Sequence, residues 1–149
     1  MSSKTGSGPS GGRPSLLKLT IPAGGASPSP PIGPALGQKG VKAMDFCRQF
    51  NDQTKRFIPG TPLRCQIMVN PDRTFAFSVF SPATSWLLKR AAGIEKANSS
   101  QIVAHLNAKY VYEIAKLKGQ DPHLYHISLR LLARMIIAQA RSIGIKVFL

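Results

Sequence analysis

The sequence predicts an α+β chain of two small domains, an amino-terminal β-α-β-β unit carrying a Pro/Gly-rich loop and a carboxy-terminal domain of three helices. Three observations predict it. Before residue 80, apolar residues alternate with period two in three short stretches. After Ser81-Pro82 every apolar repeat has helical period. The 149 residues are short for more than one ordinary domain, so two domains must each be very small. Residues 1–15 read as a disordered or targeting tail, 16–80 as the α/β domain, 81–83 as a hinge and 84–149 as the helical domain.

The amino end, MSSKTGSGPSGGRPS, is polar, Gly/Ser-rich and free of acids, so it cannot bury apolar surface. It has no secretory apolar core, and export is not expected. Its basic, serine-rich character is that of an organelle-targeting segment, without a visible amphipathic arginine helix. Within 16–21, Leu17, Leu19 and Ile21 alternate as a strand. Residues 22–40, PAGGASPSPPIGPALGQKG, hold five prolines and five glycines and read as a loop. Residues 41–57 form an amphipathic helix, with Met44, Phe46, Cys47, Phe50 and Phe57 on one side. Asp45, Arg48, Asp52 and Lys55 take the other. Pro59-Gly60 ends it. Leu63, Cys65, Ile67 and Val69 alternate in a second strand. Asn70-Pro71-Asp72-Arg73 is a turn, and Phe75, Phe77 and Val79 alternate in a third strand.

Past Ser81-Pro82, residues 82–92 form a helix with Trp86 and Leu87 inward and Gly93 behind it. Ser99 or Ser100 caps the next, whose apolar stripe is Val103, Leu106, Tyr110, Ile114 and Leu117; Lys118-Gly119 closes it. The last helix runs over 122–144, started by a capping Asp121 and by Pro122 and stopped by Gly144. Leu124, Ile127, Leu131, Met135 and Ile136 should face a core. Arg130, Arg134 and Arg141 fall within roughly 40° of one another at about 100° per residue. No acid follows Asp121 to neutralise them. Alone, such a row reads as a solvated face.

Charge changes that reading. Lys and Arg number 20 against 6 acids, a net charge of +14, and each half of the chain holds ten bases and three acids. Charge spread this way points to an extended polyanion such as nucleic acid. The basic face lacks the Trp/Phe-rich opposite side of an interfacial helix, and no apolar run approaches a membrane span, so no membrane partner is expected. Cys47 and Cys65, both at apolar positions, read as reduced core residues in an intracellular setting.

No catalytic chemistry is legible. The acids are scattered, and no Ser-His-Asp or Cys-His arrangement is present, so the chain reads as no enzyme. His123 and His126 lack further ligands and read as structural or exposed, so no metal or other cofactor is implied. Gly33, Gly37, Lys39 and Gly40 miss both the spacing and the Ser/Thr of a phosphate-binding loop. Pro28, Pro31 and Pro34 satisfy PxxP spacing, and a protein-docking module acting through this loop is the alternative function. The loop also reads as a stiff, donor-poor surface able to approach RNA, or as a plain irregular connection.

At PSPPIGPALGQKG (28–40), MDFCRQFN (44–51), DRTFAF (72–77), LLKRAAGI (87–94) and ARMI…ARSIGI (133–145) the sequence resembles the family of ribosomal protein eleven of the large subunit, bacterial and organellar type. The likeness runs in register over about residues 16–147. It implies a structural constituent of the large ribosomal subunit that binds the GTPase-associated region of its rRNA at the stalk base. Neighbouring stalk ribosomal proteins and, transiently, translational GTPase factors are the implied partners, with a monomer in each ribosome. The resemblance assigns rRNA contact to Gln139, Arg141, Ser142 and Gly144, beside Gly93 and the following loop with Lys96, Asn98, Ser99 and Ser100. Arg130 and Arg134 extend that face. The rRNA- and factor-facing proline loop would comprise Pro28, Pro30, Pro31, Gly33, Pro34, Gln38 and Lys39. Three departures stand out. Ala138 and Gln139 replace the family's Gly and Ser/Thr, the loop after Gly93 is shortened, and Arg48 stands where some bacterial members carry a methylated lysine. Shortened loops and a divergent amino end point to a mitochondrial member, with the bacterial cytoplasm as the other location.

Overall fold

The computed structural model describes residues 14–148, which excludes most of the expected tail. The chain divides into two compact units, one ending at Val79 and the other beginning at Phe80. The architecture is mixed α+β.

In the first unit, β1 (Ser15–Pro22), β2 (Pro62–Val69) and β3 (Phe75–Phe80) form a sheet with β2 central. β1 and β2 pair antiparallel from Ser15↔Val69 to Pro22↔Pro62, so the strand starts at the last residue assigned to the tail. Leu63, Cys65, Ile67 and Val69 all point inward, as period two requires. The helix predicted over 41–57 is observed as Ala43–Thr54. Its Phe46 and Phe50 are fully buried, and Phe46 meets the rings of Phe75 and Phe77 at centroid distances of 6.0 and 5.3 Å. Met44, expected on the buried side, is 66% exposed because the stripe of Phe46, Cys47, Phe50 and Thr54 turns it outward. Both thiols are buried, and burial pushes Cys65 up to about 12 and raises Cys47 as well.

The 22–40 segment is not all loop: Ile32–Gly37 is a short helix anchored by buried Ile32 and Leu36. We number it α1 and the Ala43–Thr54 helix α2. Val41 N–H donates to the Leu36 carbonyl, with Gly40 at φ +73°, a glycine-favouring helix exit that buries Val41. The segment before α1 hangs from α2. Asn51 bonds both the N–H and the carbonyl of Ala26, at 3.0 and 3.1 Å. Thr54 Oγ1 accepts from Gly24 N–H and donates to the Phe50 carbonyl. Gly33 sits so close to the Pro28 carbonyl that a Cβ there would collide with it.

The second unit holds α3 (Thr84–Ala92), β4 (Ala104–Asn107), α4 (Ala108–Lys118), α5 (Leu129–Ser142) and β5 (Ile145–Phe148). β4 and β5 pair in parallel from Ala104↔Ile145 to Asn107↔Phe148, joined through α4 and α5. Neither strand was expected. In α3 the fully buried residue is Leu88, with Trp86 and Leu87 only partly covered. α3 ends at Gly93, φ +70°, where Ile94 N–H reaches back to the Lys89 carbonyl.

Two helix expectations are corrected. The middle helix begins at Ala108, capped by the Asn107 side chain, and not at Ser99 or Ser100. Val111, Ile114, Ala115 and Lys118 form its buried stripe, while Val103, Tyr110 and Leu117 are exposed. The last helix is 14 residues, about 21 Å, and not the span 122–144. Residues 121–127 form turns, so Asp121 caps no helix. Leu132, Ile136 and Ala140 face the core, and Leu131 and Met135 are each half exposed.

Asp121 is instead buried against the start of the unit. It accepts from Ser81 N–H at 3.0 Å and Ser81 Oγ at 2.6 Å, and Lys118 Nζ lies 3.3 Å away. Lys118 also donates to Ser81 Oγ at 2.8 Å. Burial alone would raise the Asp121 carboxyl, but the Ser81 hydrogen bonds and the Lys118 ammonium outweigh it and hold the pKa below the usual carboxylate range.

Asp121→Ala is expected to lower stability by about 3–5 kcal/mol, the range for breaking a buried ion pair, read as a shift of the urea midpoint. Because the folded-state pKa is depressed, this contribution is whole above the ordinary value near 4 and is lost as pH falls through the folded value. Acid unfolding of Asp121→Asn should lack that component. In the first unit, Gly33→Ala should destabilise by about 1–3 kcal/mol. Gly37→Ala, with open space around it, should be neutral or stabilise by up to about 1 kcal/mol. Equal midpoints for the two alanine variants would contradict the close approach at Pro28.

Candidate nucleic-acid interface

The helical unit gathers one cationic surface. Arg130, Arg134 and Arg141 are all exposed on α5. Among the described residues the ion pairs are Lys55–Asp52 and Lys118–Asp121, so none of the three arginines joins one. Arg130 and Arg134 border a shallow recess with Ser128 and Leu131. Arg141 borders a larger one, of about 440 Å³, lined also by Ser99, Ser100, Gln101, Ile102, Ile137, Gly144 and Lys146 with its strand neighbours.

Gly144 makes that recess possible. Its φ is +80°, and an added Cβ would run into the carbonyls of Asn98 and Gln101. The loop is therefore laid directly on the helix end. Asn98 N–H donates to Ile143 O at 3.3 Å and Val103 N–H to Gly144 O at 2.8 Å. The loop tip is turned by the Asn98 side chain, whose Oδ1 accepts from Ser100 N–H at 2.9 Å. Gly93, Lys96, Asn98, Ser99 and Ser100 are all exposed along it.

Not every residue expected at the interface shares this surface. Gly144 is buried, so it shapes the loop and contributes little surface to the recess it lines. Gln139 lies roughly 160° around the helix from Arg141 at about 100° per residue. It borders a separate recess with Thr84, Leu124, Leu132 and Met135. Ser142 is exposed, with its hydroxyl donated to the Gln139 carbonyl at 2.7 Å. His123 packs edge-on against Phe80 at 5.2 Å and His126 against Tyr125 at 5.9 Å, so the two histidines have separate aromatic partners.

In the first unit, Pro28, Pro30, Pro31, Pro34, Gln38 and Lys39 are exposed and Gly33 is half-buried. Pro31 has φ −91° and ψ −3°, and Pro34 lies inside α1. That backbone is helical and not polyproline II, which needs ψ near +145°. The PxxP reading is thereby corrected at two of its three prolines: Pro31 and Pro34 do not present a polyproline II backbone. Sequence reasoning missed Arg73. It holds a left-handed φ of +62° in the β2–β3 turn and packs its stem on Gly40, next to Lys39. It also missed Lys146, Ile102 and Ile137. Of these only Lys146 had a signal, the four-residue IKVF strand that carries it to the loop.

Two family models match in chain order: "Ribosomal protein L11, N-terminal domain" over residues 17–75 and "Ribosomal protein L11, RNA binding domain" over residues 80–147. The chain is 48% identical to the large ribosomal subunit protein uL11m of Schizosaccharomyces pombe, over 91% of this chain and 96% of that protein. It is 46% identical to uL11m of Caenorhabditis elegans and 39% identical to that of Drosophila melanogaster. In both, the match covers 89% of this chain and 69% of the relative. The second match begins at residue 80, where the second unit begins, and on these matches the chain belongs to the ribosomal protein L11 family, which is not a class of enzymes.

Proposed function

We propose that this protein is a non-catalytic constituent of the large subunit of the mitochondrial ribosome. In this reading the helical unit binds a folded segment of large-subunit rRNA, the GTPase-associated region at the stalk base. One observation carries it: within a family whose second domain is described as RNA-binding, α5 presents three arginines with no acid partner among the described residues, beside a loop locked down by Gly144. The relatives' names supply the mitochondrial large subunit.

The physical division of labour follows. Arg130, Arg134, Arg141, Lys96 and Lys146 attract the phosphate backbone, and their contacts release condensed counterions. Ser99, Ser100 and Asn98 offer short polar groups that come close to sugar and base edges. Gly93 and Gly144 act through the loop they bend. The exposed prolines 28, 30, 31 and 34, with Gln38 and Lys39, form a second, stiff face on the first unit. We assign that face to the same rRNA and to visiting translational GTPase factors, with neighbouring stalk proteins close by. Ser142 stands at the edge of the α5 surface. Gln139 stands away from the arginine row and has the smallest part. No helix of the described residues is long and apolar enough to cross a membrane.

Arg141→Ala is expected to weaken binding to a folded fragment of large-subunit rRNA and to lower the slope of log K against log salt by about one counterion or less. Wild type and variant binding equally at low and high salt would overturn the assignment.

A further inference from the structure

The recess beside Arg141 has features that attraction to phosphate does not require. Its floor is aliphatic. Ile102 is 62% and Ile137 42% exposed, beside Arg141 and Lys146. Arg141, Lys146 and Ser99–Ser100 stand around it, and no acid among the described residues lines it. At about 440 Å³ it is within the range, roughly 300–1,000 Å³, of small-molecule clefts. Nor can it easily collapse. One wall is the loop held on Gly144, and another is β5, fixed by its parallel pairing with β4.

We propose that this recess receives one unstacked nucleobase of the bound RNA, its faces against Ile102 and Ile137 and its own phosphate at Arg141 and Lys146. The proposal rests on the RNA-binding reading above and adds to it a base-sized site. A nucleobase matches each part of the recess. Its flat faces gain by leaving water for aliphatic walls, its polar edge finds Ser99 and Ser100, and its phosphate supplies the negative charge the two cations lack. An apolar side chain from a neighbouring protein would match the floor but would leave Arg141 and Lys146 without an anion. The site would select an RNA fold with a splayed base at this point, a selection that charge alone cannot make.

Salt dependence separates the two contributions. Binding of the full chain to a folded large-subunit rRNA fragment would be titrated across a range of KCl for wild type, Ile137→Ser, Ile102→Ser and Arg141→Ala. Each isoleucine variant should weaken binding by about tenfold or more at every salt concentration, with an unchanged slope. Arg141→Ala should change the slope. Ile102 is so open that its replacement does not threaten the fold, and thermal melts of each variant control for this. If Arg141→Ala weakens binding and neither isoleucine variant does, the nucleobase site is overturned while the RNA-binding reading stands. If none of the three weakens binding, both fall. Unchanged RNA affinity with impaired incorporation into ribosomal particles would give the recess to a protein neighbour and also overturn the proposal.

Discussion

The cationic surface of the helical unit depends on a contact with no charge in it. Gly144 lies against the carbonyls of Asn98 and Gln101, where no side-chain carbon fits, and it takes a left-handed turn that other residues resist. Because the loop can lie that close, Val103 N–H reaches the Gly144 carbonyl and β4 enters in register beside β5. The parallel pair then fixes Lys146 on the same side of the unit as Arg141. Remove the close approach and the loop, the strand pair and the recess lose their common reference point.

The first unit uses different means to a similar end. Its proline segment has few backbone donors, so it cannot be held by a sheet ladder. Side chains of α2 hold it from below, Asn51 at Ala26 and Thr54 at Gly24. Buried Ile32 and Leu36 pin the short helix that the prolines introduce. The outcome is a rigid outer face of rings and short side chains, produced by apolar anchors on the inside.

Much of this was legible from residue pattern, and the exceptions have physical causes. Strict alternation located β2, and the Phe46–Phe50 spacing located α2, because one face of each is buried and the other wet. The stripe of α4 was misread because Lys118 belongs to it, and a lysine at a core position looks like surface until Asp121 and Ser81 are found beside it. In α5, Leu131 and Met135 repeat every four residues just as Leu132, Ile136 and Ala140 do, so periodicity offered two registers and only packing chose between them. β4 has one buried residue, Leu106, in four, too little for an alternating signal. Of the candidate interface, the arginine row was legible from spacing. The aliphatic floor was not, since Ile102 and Ile137 come from segments 35 residues apart that only the fold brings together.

The Ser81–Asp121 contact also bears on how the second unit breathes. Its backbone amide is bound to a carboxylate forty positions away in the chain, in a place closed to water. Fraying at one end of the unit cannot free that amide. Solvent deuterium reaches it only when α4's far end and the entry of the unit separate together, so its exchange rate reports a cooperative opening and not a local one.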